Sequence, residues 1–212
     1  MFVGLVMPLM SKYVVADKLK FKRITQKTLD LILVATVILI TTTWLLSKEI
    51  ILLISGPDFV LSAGVLDILI IAAGIIFIAV LLSNMIIVLK KQKSLMYIYG
   101  LAALFNIVAN LILIPKYSYY GAALTTVITE LITTALMVWI LFKTLHYFPS
   151  FWVVFKCLIA ALVSGLVIYL LSDWPLLILI TLSILIYLGL IYLLKVFSRE
   201  DILMIFKSKE NV

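Results

Sequence analysis

The sequence predicts an all-α integral membrane protein with six transmembrane helices and a partial helix at its N-terminus. Of the 212 residues, 66% are hydrophobic and only 13% are charged, and the mean hydropathy is +1.31. A soluble domain carries about a quarter charged residues. The apolar residues also form runs of membrane-crossing length, and the basic residues sort to one side of those runs. These three observations exclude a water-soluble domain.

Six apolar runs are long enough to cross the hydrocarbon core as helices. A core about 30 Å thick takes about 20 residues at 1.5 Å per residue. The predicted spans cover residues 31–47, 62–89, 94–114, 119–142, 151–171 and 174–194. Pro115, Pro149 and Pro175 fall at span ends, where a missing N–H does least harm.

A seventh apolar piece, MFVGLVMPLM at 1–10, is too short to cross the membrane. It lacks the basic start and the small-residue cleavage site of a signal peptide. We therefore expect residues 1–10 to be the tail of a truncated helix, in a chain that is a fragment of a longer protein.

The basic residues test the topology independently, because loops rich in Lys and Arg stay on the cytoplasmic side. If successive spans alternate in direction, every Lys and Arg except Lys48 and Lys116 lies on one side. Both termini are therefore predicted to be cytoplasmic, in a multi-pass protein of the cell membrane. The same sorting accounts for the formal net charge of +7, because basic residues beside the membrane ends contact the anionic headgroups of the lipid bilayer. A nucleic-acid partner is not expected, because no soluble module presents the basic residues.

Polar residues inside the spans are candidates for function, because each is costly in hydrocarbon unless it is paired or hydrated. Glu130 lies about midway along the fourth predicted span. Helical spacing places it on one face with four other residues. They are Ala123, Thr126, Thr133 and Met137. Such a face packs against a neighbouring helix or lines a cavity rather than facing lipid.

Asn106 and Asn110 in the third span are four residues apart and project from one face. A tight turn near Ser118 makes the third and fourth spans antiparallel neighbours, and equal counting from it brings Asn106 level with Glu130. We expect Asn106 and Glu130 to share a hydrogen-bonded layer near mid-membrane, which either holds helices together or lines a pathway. The candidates for a substrate or ion pathway are Glu130, Asn106, Asn110, Thr126, Thr133 and Asp67.

No pattern in the sequence supports a catalytic, cofactor or metal site. The lone Cys157 excludes an internal disulfide and a multi-cysteine metal site. No nucleophile–base pair and no phosphate-binding glycine loop occurs. Asp30, at the edge of the first span, is expected to be a surface residue beside Lys27. We therefore predict that the protein is not an enzyme and uses no cofactor and no metal.

Four pieces of the sequence are informative in their order and spacing. They are MPLMSKY, in which Pro8 is expected to end a helix, IILLISGPDFVLSAGVLDIL at 50–69, LKKQK at 89–93 and NIVANLILIPKYSYYGAALTTVITE at 106–130. In this order they resemble the C-terminal half of the polysaccharide biosynthesis and O-antigen-type flippases. These flippases belong to the multidrug/oligosaccharidyl-lipid/polysaccharide (MOP) superfamily.

The resemblance implies a MATE-like transporter fold, in which two lobes of helices enclose a cavity that opens alternately to the two membrane faces. The substrates it implies are polyprenyl-diphosphate-linked oligosaccharide or polysaccharide units. Residues 11–30 would form a cytoplasmic basic loop, and 31–147 the four-helix remainder of the second lobe. Residues 148–196 would form an extra C-terminal helix pair, followed by a cytoplasmic tail at 197–212.

The same resemblance implies a partner, because one lobe cannot enclose such a cavity alone. The N-terminal lobe would be supplied in cis by a longer chain or by another chain. Two other functions stay open at this point. One is a multidrug or cation antiporter of the same superfamily, with a narrower cavity richer in acids and aromatics. The other is a non-transporting accessory or scaffold subunit, in which the polar face would be sealed in protein contact.

Overall fold

The computed structural model describes residues 2–145, 150 and 152–196. Within them lie eight α-helices: α1 (Phe2–Ala16), α2 (Lys18–Leu45), α3 (Ser47–Ser55), α4 (Ala63–Val88), α5 (Gln92–Tyr117), α6 (Tyr119–Leu145), α7 (Trp152–Leu170) and α8 (Leu176–Leu193). A 3-10 helix, Pro57–Ser62, leads into α4. α2 and α4 to α8 are long and apolar enough to cross a membrane. The prediction of an all-helical membrane protein with six spans is confirmed.

The N-terminal region differs from the prediction. α1 continues through Pro8, and α2 begins directly after Asp17, so the segment 11–30 is helical except at Asp17 rather than a loop. The Asp17 carboxylate caps α2 by accepting hydrogen bonds from the backbone N–H groups of Leu19 and Lys20, both at 3.0 Å. Those N–H groups have no partner inside the helix. The many basic residues of this segment are good helix formers and are also typical of loops, so its composition alone did not distinguish a helix from a loop. The tail assigned to 197–212 lies outside the described residues.

The short helix α3 was not predicted from the sequence. Its nine residues are too few to cross a membrane, and Leu53 and Ile54 are exposed over 68% and 75% of their surface. A short helix with a bare apolar side at the end of a span fits the membrane interface, where that side enters the lipid.

The spans pack side by side with α2 at the centre. α2 contacts α4 on one side and α7 on the other, α6 packs against α4 and α5, and α8 packs against α7. α1 fills the angle between α2 and α4. The lateral order of the spans is therefore α8, α7, α2, α4, α6, α5. α5 lies at one edge and is the least buried of the six.

Two contacts fix α2 between its neighbours. Gly74 of α4 lies against Thr36 and Ile40 of α2, and a Cβ at this position would overlap both side chains. On the other side, the buried Tyr187 of α8 donates a hydrogen bond to the backbone carbonyl of Val34 at 2.9 Å. The close approach of α4 and the hydrogen bond from α8 therefore both fasten neighbouring helices to α2.

Candidate functional site

A series of polar side chains links α5 to α6 within the spans. Asn110 Nδ2 donates to Asn106 Oδ1 at 2.8 Å, and Asn106 Nδ2 donates to Thr129 Oγ1 at 3.2 Å. Thr129 Oγ1 in turn donates to the backbone carbonyl of Thr125 at 2.7 Å. We call these four residues the α5–α6 seam. The sequence correctly predicted that Asn106 would face α6 and that Asn110 would lie on the same face of α5.

Gly121 sets the distance between α5 and α6 at the turn that joins them. A Cβ on Gly121 would overlap the backbone carbonyl group of Leu113 on α5. The turn itself is tight, because Ser118 takes a left-handed φ of 52° and its carbonyl accepts the Gly121 N–H at 3.0 Å. The two helices therefore leave the turn in backbone contact, which brings the asparagines within reach of Thr129.

Glu130 does not belong to the seam. Successive residues of a helix point about 100° apart, so Glu130 turns away when Thr129 faces α5. Glu130 lies on the same side of α6 as Met137, which is two helical turns further along the chain. Met137 belongs to a buried cluster that also contains Met85 of α4. The expected pairing of Asn106 with Glu130 was therefore wrong, and Thr129 takes the place of Glu130. The predicted level of Asn106 along α6 was right to within one residue.

Thr126 and Thr133 make their hydrogen bonds inside α6. Thr126 Oγ1 donates to the carbonyl of Ala122 at 3.0 Å, and Thr133 Oγ1 donates to the carbonyl of Glu130 at 3.0 Å. Thr133 is buried, whereas Thr126 and Glu130 are half-buried. Such bonds satisfy hydroxyl groups in hydrocarbon without joining helices. A pathway role for these three residues stays a prediction.

Six buried side-chain oxygens of the described residues have no hydrogen-bond partner: four are threonine hydroxyls, and two are carboxylate or amide oxygens that can only accept. Asp67 Oδ1 and Asn110 Oδ1 have no hydrogen-bond partner among the described residues. Asp67 lies one turn after Gly64 on α4, and Gly64 contacts the Tyr120 ring of α6. A buried acceptor without a donor costs about 1–3 kcal/mol. A water, an ion or a substrate hydroxyl that reached either oxygen would therefore be stabilised.

Asp30 is a buried carboxylate whose position the sequence did not reveal. It is 4% exposed rather than at the surface, and its Oδ1 accepts a hydrogen bond from Gln26 Nε2 at 2.8 Å. Gln26 also exchanges hydrogen bonds with the backbone N–H and carbonyl of Ser150. The signal that could have found this group is the spacing of Gln26 and Asp30, which places both on one face of a continuing helix.

The arrangement of the helices is similar to that of a solved flippase. The fold matches the structure titled "Lipid II flippase MurJ, inward closed conformation" with a TM-score of 0.76 and 22% sequence identity. The match covers 92% of this chain and 43% of that chain. No protein-family model matches the sequence, and no curated protein matches it either. At this identity the likeness shows the fold alone, and it confirms the flippase-type helical fold that the sequence resemblance implied.

The chain spans less than half of the MurJ chain that it matches. Its assignment to the C-terminal half and the predicted domain limits therefore stay predictions. In residues 2–145, 150 and 152–196, no three His, Cys, Asp or Glu side chains are grouped to hold a metal ion. The chemistry that the site offers is hydrogen bonding by amides and hydroxyls, with the carboxylates of Glu130 and Asp67 on the neighbouring faces.

Proposed function

We propose that this chain forms one lobe of a flippase for polyprenyl-diphosphate-linked oligosaccharide or polysaccharide units. The flippase would carry these units across the cytoplasmic membrane by alternating access. The observation that carries the proposal is the likeness in fold to a lipid II flippase over 92% of the chain. The sequence pieces at 50–69 and 106–130 point to the same class. The protein is a transporter rather than an enzyme, and its partners are the lipid bilayer, the lipid-linked glycan and a second lobe in cis or on another chain.

In alternating access, one bundle of helices rocks against another around a site near the midplane of the bilayer. The α5–α6 seam suits such a motion, because its hydrogen bonds tie two spans into one rigid unit. Glu130 lies outside the seam and is half-buried, so its surroundings can change as the lobes move. We expect Glu130 to take up and release a proton or a cation during the cycle. Asp67, with its open oxygen, is the second carboxylate that we propose for this pathway.

The orientation in the membrane follows from the charges. The turn between α4 and α5 carries Lys90, Lys91 and Lys93. Placing this turn in the cytoplasm also places both termini there, in agreement with the preference of basic residues for that side. Lipid-linked glycans would then enter from the end of the bundle that carries these lysines and leave at the α5–α6 turn.

The deciding experiment is performed in the cell that makes the protein, where any second lobe is present. Deleting the gene should lower the fraction of lipid-linked glycan that an external, membrane-impermeant glycosidase can reach, while the total amount stays equal or rises. Restoring the gene should restore that fraction. If the accessible fraction is unchanged and the cells instead become sensitive to cationic drugs, the protein is an antiporter of the multidrug type. If neither changes, the accessory role is favoured.

A further inference from the structure

A groove at one end of α5 and α6 combines an apolar floor with a basic rim. Its volume is about 430 Å³, within the range of about 300–1,000 Å³ that holds small ligands. The floor is formed by Ile98, Leu101, Leu136 and Ile140, and the rim by Lys91 and Lys143. Trp139 and Tyr97 line the sides. The pathway residues proposed above do not line it.

The turn between α4 and α5 places Lys91 over this groove. Lys90 takes a left-handed φ of 58°, its N–H bonds to the carbonyl of Ile87, and the N–H of Lys91 bonds to the carbonyl of Ile86. This pair of bonds is the Schellman ending of a helix, which turns the chain sharply and fixes the next residue. Lys91 Nζ then donates to Thr144 Oγ1 on α6 at 2.8 Å. An ammonium group has three donors, so two remain for a ligand.

Lys143 supplies the second positive charge. Its Nζ lies 5.6 Å from the centre of the Trp139 ring, which holds the ammonium group at the mouth of the groove. Of the acidic residues that the structure describes, none lines the groove or forms an ion pair with Lys91 or Lys143. Within the part of the chain that the structure describes, the rim therefore carries a positive charge that no carboxylate balances.

The length of the groove matches one leaflet of a bilayer. From Lys91 to Leu101 on α5, and from Thr144 to Leu136 on α6, the helices rise about 12–15 Å. Half of a hydrocarbon core is also about 15 Å thick. Because α5 is the edge span and the least buried, the groove opens sideways to lipid. A ligand with a negatively charged headgroup and a long apolar chain fits this groove, because the headgroup meets the basic rim and the chain lies along the apolar residues.

We propose that this groove binds an anionic glycerophospholipid of the surrounding leaflet, with its phosphate on Lys91 and Lys143 and an acyl chain along Ile98 and Leu101. Two lysines, one of them already bonded to Thr144, complement one phosphate better than a diphosphate. The site is separate from the pathway and does not depend on the proposed transport function. Basic pockets between membrane helices are known to bind anionic headgroups in this way.

The test uses Trp139, which lines the groove, as a reporter. The full chain with Trp44→Phe, Trp152→Phe and Trp174→Phe keeps Trp139 as its single tryptophan. It is reconstituted into vesicles of phosphatidylcholine and phosphatidylglycerol in which one lipid or the other carries brominated acyl chains, which quench a tryptophan on contact. From the quenching of Trp139 we expect the groove to bind phosphatidylglycerol about fivefold to tenfold more strongly than phosphatidylcholine. This ratio follows from about 1 kcal/mol of attraction per lysine, partly screened by salt.

Substitutions in the same background locate the preference. Lys91→Gln with Lys143→Gln should reduce it to about one, whereas Lys91→Arg with Lys143→Arg should keep it. The matched control is Lys12→Gln with Lys18→Gln, which removes the same charge from exposed lysines outside the groove and should leave the preference in place. Thr144→Val tests the positioning of Lys91 without changing charge, and it should lower the preference only in part.

Three results would overturn the proposal. The first is equal quenching of Trp139 by both brominated lipids in the parent protein. The second is a preference for phosphatidylglycerol that survives loss of both groove lysines. The third is that only an added polyprenyl diphosphate, and no added glycerophospholipid, displaces the brominated lipid and relieves the quenching. The last would make the groove a substrate site instead. If the double Gln variant loses its helical circular dichroism, Lys143→Gln alone, which keeps the Lys91–Thr144 bond, should still halve the preference or more.

Discussion

Asn106 of α5 donates a hydrogen bond from Nδ2 to the hydroxyl oxygen of Thr129 on α6 at 3.2 Å. The same amide accepts a bond from Asn110, and the same hydroxyl donates to the backbone of Thr125. Asn106 and Thr129 therefore each act at once as donor and acceptor, which is what hydrocarbon surroundings demand of a polar group. The pair fixes the register of α5 against α6.

Thr129→Val should weaken the association of α5 with α6. It keeps the shape of the side chain and removes the acceptor for Asn106, at a cost of about 0.6–2 kcal/mol for a hydrogen bond between membrane helices. The measurement is unfolding in mixed micelles with increasing sodium dodecyl sulfate. Thr126→Val is the matched control, because Thr126 bonds only within α6, and it should change stability by less than about 0.5 kcal/mol. Equal effects of the two substitutions would contradict a role for the seam.

Gly121→Ala should destabilise the turn between α5 and α6. The added methyl group meets the Leu113 backbone, which cannot move without separating the helices, so we expect a loss of about 1–3 kcal/mol. Gly100→Ala is the control on α5, because a Cβ there meets nothing within 4 Å. Alanine is the better helix former, so Gly100→Ala should be neutral or stabilise by about 0.5–1 kcal/mol. Thermal unfolding in detergent measures both, and a Gly121→Ala protein as stable as the parent would rule out the close contact.

Tyr187→Phe should loosen α8 from α2. The substitution removes the bond to the Val34 carbonyl from a fully buried site and keeps the ring, at a cost of about 1 kcal/mol. Tyr192→Phe on the same helix is the control, because Tyr192 is 75% exposed and should tolerate the change. Hydrogen exchange of α8 should rise in the first variant and stay unchanged in the second. Similar exchange in both would show that the buried hydroxyl does not hold α8.

The cap of α2 should make stability depend on pH in the acid range. The backbone N–H of Lys20 above all lowers the pKa of Asp17 from its ordinary value of 3.8. A carboxylate with a lower pKa in the folded chain stabilises it above the unfolded pKa, and this contribution disappears as the pH falls through the folded value. Asp17→Asn also caps the helix but does not titrate. The stability of the parent relative to this variant should therefore decrease as the pH falls from 5 to 2.5, and a constant difference would refute the role of the charge.

Glu130→Gln should impair transport if Glu130 couples export to a proton or a cation. We expect externally accessible glycan to fall by about tenfold, since coupling free energies of 1–3 kcal/mol are usual, and the pH dependence of export to flatten. Glu49→Gln removes the charge of an exposed carboxylate on α3 and should leave export unchanged. Normal export with unchanged pH dependence in the Glu130→Gln protein would exclude the coupling role while leaving the flippase proposal intact.

The spans themselves were predictable because crossing a bilayer is a local requirement that each segment meets by its own hydropathy. The limits of α4 to α8 agree with the predicted spans to within three residues. The start of α2 was not found, because residues 18–30 are too polar to count as part of a span and continue the helix beyond the apolar run. The short α3 was missed for the opposite reason, since it is apolar but too short.

The sequence by itself determined the class of protein, the number of spans, and, to within one residue, which level of α6 lies beside Asn106, because hydropathy and helical rise act along one chain. It also placed both asparagines on one face. Only the tertiary structure decided which residue Asn106 meets. A rotation of about 100° separates Thr129 from Glu130, and that angle depends on how Gly121 and the turn at Ser118 seat α6 between α4 and α5. Tertiary packing also brings Gln26, which bonds to the buried Asp30, to Ser150, and it brings Lys91 to Thr144; both contacts join segments that are distant along the chain.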